Sequence, residues 1–138
     1  MSRICGIELK SSEAILVILE DDELDFVDIA LKKLKLEDDE SGESIKAFYD
    51  GLVNFIKDNQ IDTVVIKKRA KRGRMAGGAI SFKMEALIQL NGIAEVEFVS
   101  GQGIAAAHKK SPFELPKSLK KYQEAGFMAA SLYHRIGG

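Results

Sequence analysis

Two groups of residues in this chain have the type and spacing to do chemistry. The first is Glu8, a carboxylate placed among apolar neighbours in the stretch from Arg3 to Glu20, RICGIELKSSEAILVILE. A carboxylate at the end of such a strand is paired, hydrated at a cleft or recruited by a metal, because burying it without compensation costs several kcal/mol. The second is Lys67-Lys68-Arg69-Ala70-Lys71-Arg72-Gly73-Arg74, six cationic side chains within eight residues. Gly77 and Gly78 follow, and no acid lies between Asp62 and Glu85. Cations at this density suit phosphate groups, whose neutralisation releases condensed counterions. A solvated loop that offsets acidic segments elsewhere has the same composition. The run is therefore an electrostatic footprint and no more. It lacks the Gly-Lys-Ser/Thr ending of a nucleotide-binding P-loop.

Other reactive side chains have ordinary structural explanations. Cys5 is alone and lies within the first strand, so it forms no intrachain disulfide and reads as a small buried hydrophobe. His108 and His134 are far apart, neither in a ligand-spaced cluster, so no metal site and no cofactor are expected. Ser100-Gly101-Gln102-Gly103 follows a strand and opens a helix; it suits an anion at a helix N-terminus or a plain turn between the two elements. Glu124 reads as a helix-surface acid paired with Lys120 four residues earlier.

The elements that position these residues follow from periodicity. Ile4, Cys5, Ile7 and Leu9, then Ala14 to Leu19, are apolar on both faces and predict a hairpin deep inside a sheet, turning at Lys10 to Glu13. Phe26 to Leu31 predicts a third strand, with a bulge or an end near Lys32-Lys33 where the parity of Leu31, Leu34 and Leu36 slips. Ile45, Phe48, Tyr49, Leu52, Phe55 and Ile56 mark one helical face, capped by Ser41 or Ser44 and preceded by acids suited to the helix dipole. Ile61 to Ile66 is a β-branched run expected as a central parallel strand beside the first. A helix over 79–90 closing at Asn91-Gly92, a strand at Glu95 to Val99, a short helix at Gln102 to Lys109 and a terminal helix from Lys117 to about Ile136 complete the order. The stripe Tyr122, Ala125, Gly126, Ala129, Tyr133 and Ile136 is the expected packed face of that last helix.

This order predicts one domain over 1–138, with an antiparallel meander extended by two parallel strands into a five-stranded mixed sheet, and helices on both faces. The chain has 138 residues, 46% of them apolar and 30% charged, and a formal net charge of −1, so overall charge favours no class of partner. No basic-then-apolar leader opens it, and no apolar run approaches the roughly 18 residues that span a bilayer. A cytoplasmic protein is expected.

The element order, with Gly6-Ile7-Glu8 on the first strand, resembles the ribonuclease H-like fold, and within it the Holliday-junction resolvases and their relatives. The whole chain also looks like a small bacterial family of that fold whose function is not established. The resemblance implies a first acid at Glu8, a second at the end of the fourth strand and one or two more in the last helix. At the second position Val65-Ile66-Lys67-Lys68 offers lysine, and the last helix offers only Glu124, turned away from the packed stripe. Two-metal phosphodiester cleavage needs several convergent carboxylates. The reading is therefore a nucleic-acid-binding protein whose nuclease site is degraded or absent, with Glu8 at the catalytic position and Lys67, Lys68, Arg69, Lys71, Arg72 and Arg74 as the nucleic-acid contacts. A divalent-metal-dependent nuclease or resolvase is the first alternative. A non-catalytic interaction protein, a homodimer through its terminal helix, is the second.

Overall fold

The computed structural model describes residues 2–20, 25–68 and 78–137. In chain order the elements are β1 (Arg3–Lys10), β2 (Glu13–Glu20), β3 (Asp25–Val27), β4 (Lys33–Lys35), α1 (Gly42–Asp58), β5 (Thr63–Lys68), α2 (Ala79–Gln89), β6 (Glu95–Ser100), α3 (Gly101–Lys110) and α4 (Glu124–Arg135). A single 3-10 turn, Lys121–Gln123, leads into α4.

β1 and β2 pair antiparallel along their whole length, from Arg3↔Glu20 to Lys10↔Glu13. β5 pairs parallel with β1, and β6 parallel with β5, giving the order β3-β2-β1-β5-β6 with β1 in the middle, as its two-sided apolar character predicts. β5 begins two residues later than expected. Asp62 stays outside the strand because it ties two others together: its carboxylate accepts from Arg3 N (2.9 Å), its N–H donates to Arg3 O and its carbonyl accepts from Glu95 N.

The third strand is split. β3 pairs with β2 at Ile18↔Val27 and β4 pairs with it at Ile15↔Lys33, so six residue steps on the outer chain face three on β2. The strand expected over Phe26 to Leu31 thus ends at Val27, and the interruption begins ahead of Lys32-Lys33, where the slipped parity put it, leaving six strands in five positions. The interruption turns Ile29 into the core, and Lys32 bridges it by donating Nζ to Ile29 O and accepting Leu16 N at its carbonyl (2.8 Å).

Alternation along the central strands supplies two cores. Cys5, Ile7, Leu9, Leu16, Ile18, Val64 and Ile66 face α1 and α2, where Phe48, Leu52, Phe55, Ile56, Met84 and Ile88 meet them. Ile4, Val17, Leu19 and Val65 face α3 and α4, where Ile104, Phe127, Ala129 and Ala130 meet them. Ser41 caps α1, its hydroxyl accepting from Ser44 N, with Glu43 in the first turn and Lys57 in the last. α2 closes at Asn91, whose buried amide donates to Ile88 O and Ala94 O and accepts from Ile93 N and Ala94 N, while Gly92 takes φ +75°.

α4 departs from its expected span and face. Pro116 and extended Lys120 hold the chain out of helix until the 3-10 turn, so α4 is shorter than predicted. Gly126 and Ala129 of the expected stripe are buried, whereas Tyr122 and Ile136 are exposed and Phe127 and Ala130 are buried in their place. The rotation is fixed by a backbone contact. Gly126 lies so close to Gly6 that a Cβ built on Gly6 would stand 2.0 Å from Gly126 O. The apolar side of α4 is thus occupied by its own sheet.

Candidate functional site at the carboxyl edge of the sheet

Glu8 shares the parity of Ile4 and Gly6, which places its side chain on the α3/α4 side of β1 near the strand's end. Lys67 shares the parity of Val65 and stands on the same side of β5. The parallel register Ile7↔Ile66 brings the two together: Lys67 Nζ lies 3.7 Å from Glu8 Oε2. Lys68 alternates to the other side and is exposed, so of the two lysines expected near Glu8 only Lys67 pairs with it. Beside them β6 runs straight into α3. Ser100 caps that helix, its hydroxyl accepting from Gly103 N at 2.9 Å, and the Cε of Lys67 lies at contact distance, 3.4 Å, from where a Cβ on Gly101 would stand. The Ser100 to Gly103 segment is therefore a capped strand-to-helix turn.

A carboxylate facing an ammonium is not the donor set of a divalent cation, since the Nζ charge repels the ion that a second acid would hold. Glu124 is half-buried at the start of α4, and among the described residues it makes no ion pair with Lys120. No group of three or more His, Cys, Asp or Glu side chains among the described residues is placed to hold a metal. The acids before α1 have local partners: Asp39 meets Lys83 (3.4 Å), Glu37 meets Lys35 (3.8 Å), and Asp38 accepts from Glu40 N. Arg69, Lys71, Arg72 and Arg74 lie outside the described residues.

The Glu8–Lys67 pair is partly hydrated, its side chains 23% and 34% exposed, so the larger penalty of a fully buried pair does not apply. Glu8→Gln is expected to cost about 1 kcal/mol or less, as half-exposed ion pairs do. Urea denaturation checks this, and a loss of several kcal/mol would show that the pair is held dry.

Cys5 is fully buried within β1, and burial pushes its thiol up to about 12, against a smaller lowering from its hydrogen bond with the Val17 backbone. It is no nucleophile in the folded protein. At pH 8 its alkylation should run roughly three orders of magnitude slower than in denaturant, because the thiolate is the reacting form. Labelling at comparable rates in both conditions would contradict the burial. The neutral thiol's contribution to stability is complete below the ordinary thiol value and is lost as pH rises from there towards about 12.

Two residues that periodicity did not single out hold this face in place. Gln123, fully buried, donates Nε2 to Leu16 O and accepts from Lys120 N, both at 3.0 Å. Phe113 is buried between the His108 ring, stacked at 5.7 Å, and the Arg135 guanidinium, 3.9 Å from its centroid. An isolated Gln at a helix start and a Phe between two prolines carry no pattern that marks them beforehand.

Among solved structures the chain is similar to T. thermophilus RuvC in complex with Holliday junction substrate, at 10% identity and a TM-score of 0.68, covering 99% of this chain and 97% of that one. It is likewise similar to the Thermus thermophilus RuvC structure, at 10% identity and a TM-score of 0.66, covering 98% and 96%. The fold is therefore ribonuclease H-like. None of the curated proteins matches the chain. A family model described as "Protein of unknown function (DUF3010)" matches residues 2–133, and the chain belongs to that family.

Proposed function

We propose that this protein binds nucleic acid through its ribonuclease H-like domain without cutting it. The observation that carries the reading is the correspondence, over nearly the whole of both chains, with a protein whose structure was solved on a Holliday junction substrate. The Glu8–Lys67 pair supports the second half: at the edge where metal-dependent cleavage would need a cluster of carboxylates, one acid is neutralised by a lysine. In this reading Glu8 is a retained acid with a structural partner. The cations Lys67, Lys68, Arg69, Lys71, Arg72 and Arg74 are then the residues that meet phosphates.

Binding is tested by fluorescence anisotropy with a labelled duplex and a labelled four-way junction across a salt series. Changing Lys71, Arg72 and Arg74 together to Ala should weaken binding to unrelated sequences alike, and should flatten the salt slope by about one for each phosphate that is no longer neutralised. Unchanged affinity in the triple variant would place the phosphate-binding surface elsewhere. Failure of the parent to bind either probe at low salt would leave the interaction-protein reading. The nuclease alternative has its own readout: cleavage that requires magnesium or manganese, or a melting temperature that manganese raises in the parent but not in Glu8→Gln.

A further inference from the structure

Charge in this chain is segregated, although the total is close to zero. Residues 1–62 carry 16 Asp and Glu against 7 Lys and Arg, whereas residues 63–138 carry 5 against 13. The helices carry part of this segregation onto opposite sides of the sheet. α1 and its flanks, residues 36–62, hold eight acids and two lysines and cover one side. α3, α4 and the segment joining them, from Gly101 onward, hold six Lys and Arg against two acids and cover the other.

The joining segment is built as a rigid carrier. Phe113 plugs it into the core, its N–H donating to His108 Nδ1 at 3.1 Å, and Arg135 donates Nη1 to Ser111 O at 2.8 Å while covering the Phe113 ring. Leu119 N donates to Pro116 O, and Lys120 N to the buried amide of Gln123. Anchored between these points, Lys109, Lys110, Lys117, Lys120 and Lys121 are all exposed, and none of them forms an ion pair among the described residues. Of the nine other described lysines five are ion-paired, among them Lys32–Asp28, Lys33–Glu13 and Lys83–Asp39, and the four that are not, Lys10, Lys46, Lys57 and Lys68, are spread along the chain and form no run. A run of unpaired ammonium groups on a pinned backbone keeps its counterions in solution and releases them to a polyanion, with little ordering of the chain to oppose binding.

We infer that the outer surface of the last turn of α3 and of the segment joining it to α4 is a second nucleic-acid contact, taking the phosphate backbone along Lys109, Lys110, Lys117, Lys120 and Lys121, while the acidic α1 side faces away. This rests on the nucleic-acid reading above and adds an orientation to it. Recognition here is of phosphate charge and is indifferent to base sequence.

The test compares two double charge reversals of equal size on opposite sides: Lys117→Glu with Lys121→Glu on the joining segment, and Lys46→Glu with Lys57→Glu on α1. Both pairs are exposed, and circular dichroism melting confirms folding of each variant before a short labelled duplex is titrated. The segment double should bind about tenfold more weakly, with a salt slope shallower by about two, whereas the α1 double should stay within about twofold of the parent. Equal losses in both doubles would mean that net charge alone is felt, and parental affinity in the segment double would mean that this surface is not used. Either result overturns the inference while leaving nucleic-acid binding intact. A parent that binds no duplex at low salt overturns both.

Discussion

Gly6→Ala is expected to cost about 3 to 5 kcal/mol, a large part of the stability of a domain this size. The added methyl would stand 2.0 Å from Gly126 O, 2.8 Å from its carbonyl carbon and 3.1 Å from Ala130 Cβ. The first two are backbone atoms of a helix packed on the central strand, so no rotamer change makes room and α4 must lift from the sheet. That exposes the core formed by Val17, Phe127 and Ala130. The reverse change is a sharp control. A Cβ on Gly126 meets Gly6 O at 3.2 Å and Val17 Cγ2 at 3.3 Å, which calls for a shift of only a few tenths of an ångström. Ala is also favoured over Gly inside a helix by roughly 1 kcal/mol. Gly126→Ala should therefore lie within about 1 kcal/mol of the parent. Urea midpoints for the two variants decide the matter, and a mild Gly6→Ala would mean that the helix rides higher on the sheet than 2.0 Å implies.

Gln123→Ala should cost about 3 to 5 kcal/mol, for a reason that starts on the opposite edge of the hairpin. On β2 the N–H of Leu16 points outward to Lys32 O, across the bulge between β3 and β4. The Leu16 carbonyl points the same way and accepts from Gln123 instead of from a strand. Removing that amide leaves the buried Leu16 O without a partner, at about 1 to 3 kcal/mol, opens a cavity, and releases the half-buried Lys120 N–H from its bond. Gln123→Glu separates the hydrogen bond from the volume. At neutral pH a carboxylate would face the Leu16 carbonyl with no proton to donate, and both burial and that carbonyl favour the protonated acid, so its folded-state pKa is raised. The protonated side chain can donate, and its contribution is complete below the ordinary Glu value and lost as pH rises through the raised one. The deficit of Gln123→Glu relative to the parent should therefore shrink towards pH 4. A deficit independent of pH would show that shape, and not the donated proton, holds the position.

Much of this molecule follows from local patterns that neighbouring residues impose on one another. Two-sided apolar runs put β1, β2 and β5 at the centre of the sheet, because only strands covered on both faces can bury every side chain. The 3.6-residue spacing from Ile45 to Ile56 gave α1 its buried face, and Ser41 its cap. The slipped parity after Leu31 marked an interruption of the third strand, though the break begins earlier, after Val27. From Gly6-Ile7-Glu8 and a lysine at the end of β5 the sequence also placed Glu8 beside a lysine, since a parallel register between neighbouring strands leaves few choices.

The sequence put Gly126 and Ala129 on the packed face of α4, but which residues are buried beside them was decided only in three dimensions. An amphipathic helix of Ala, Gly, Tyr and Ile offers more than one plausible face, and the choice fell to the single orientation in which Gly126 passes over Gly6. Gln123 and Phe113 acquired their roles in the same way: each answers a vacancy made elsewhere, the unpaired Leu16 carbonyl at the bulge and the gap between His108 and Arg135. Hydrophobic periodicity records which residues leave water. Which backbone groups lack a partner, and which side chain arrives to supply one, depends on elements more than a hundred residues apart, as Leu16 and Gln123 are, and is fixed only when the sheet and its helices close on each other.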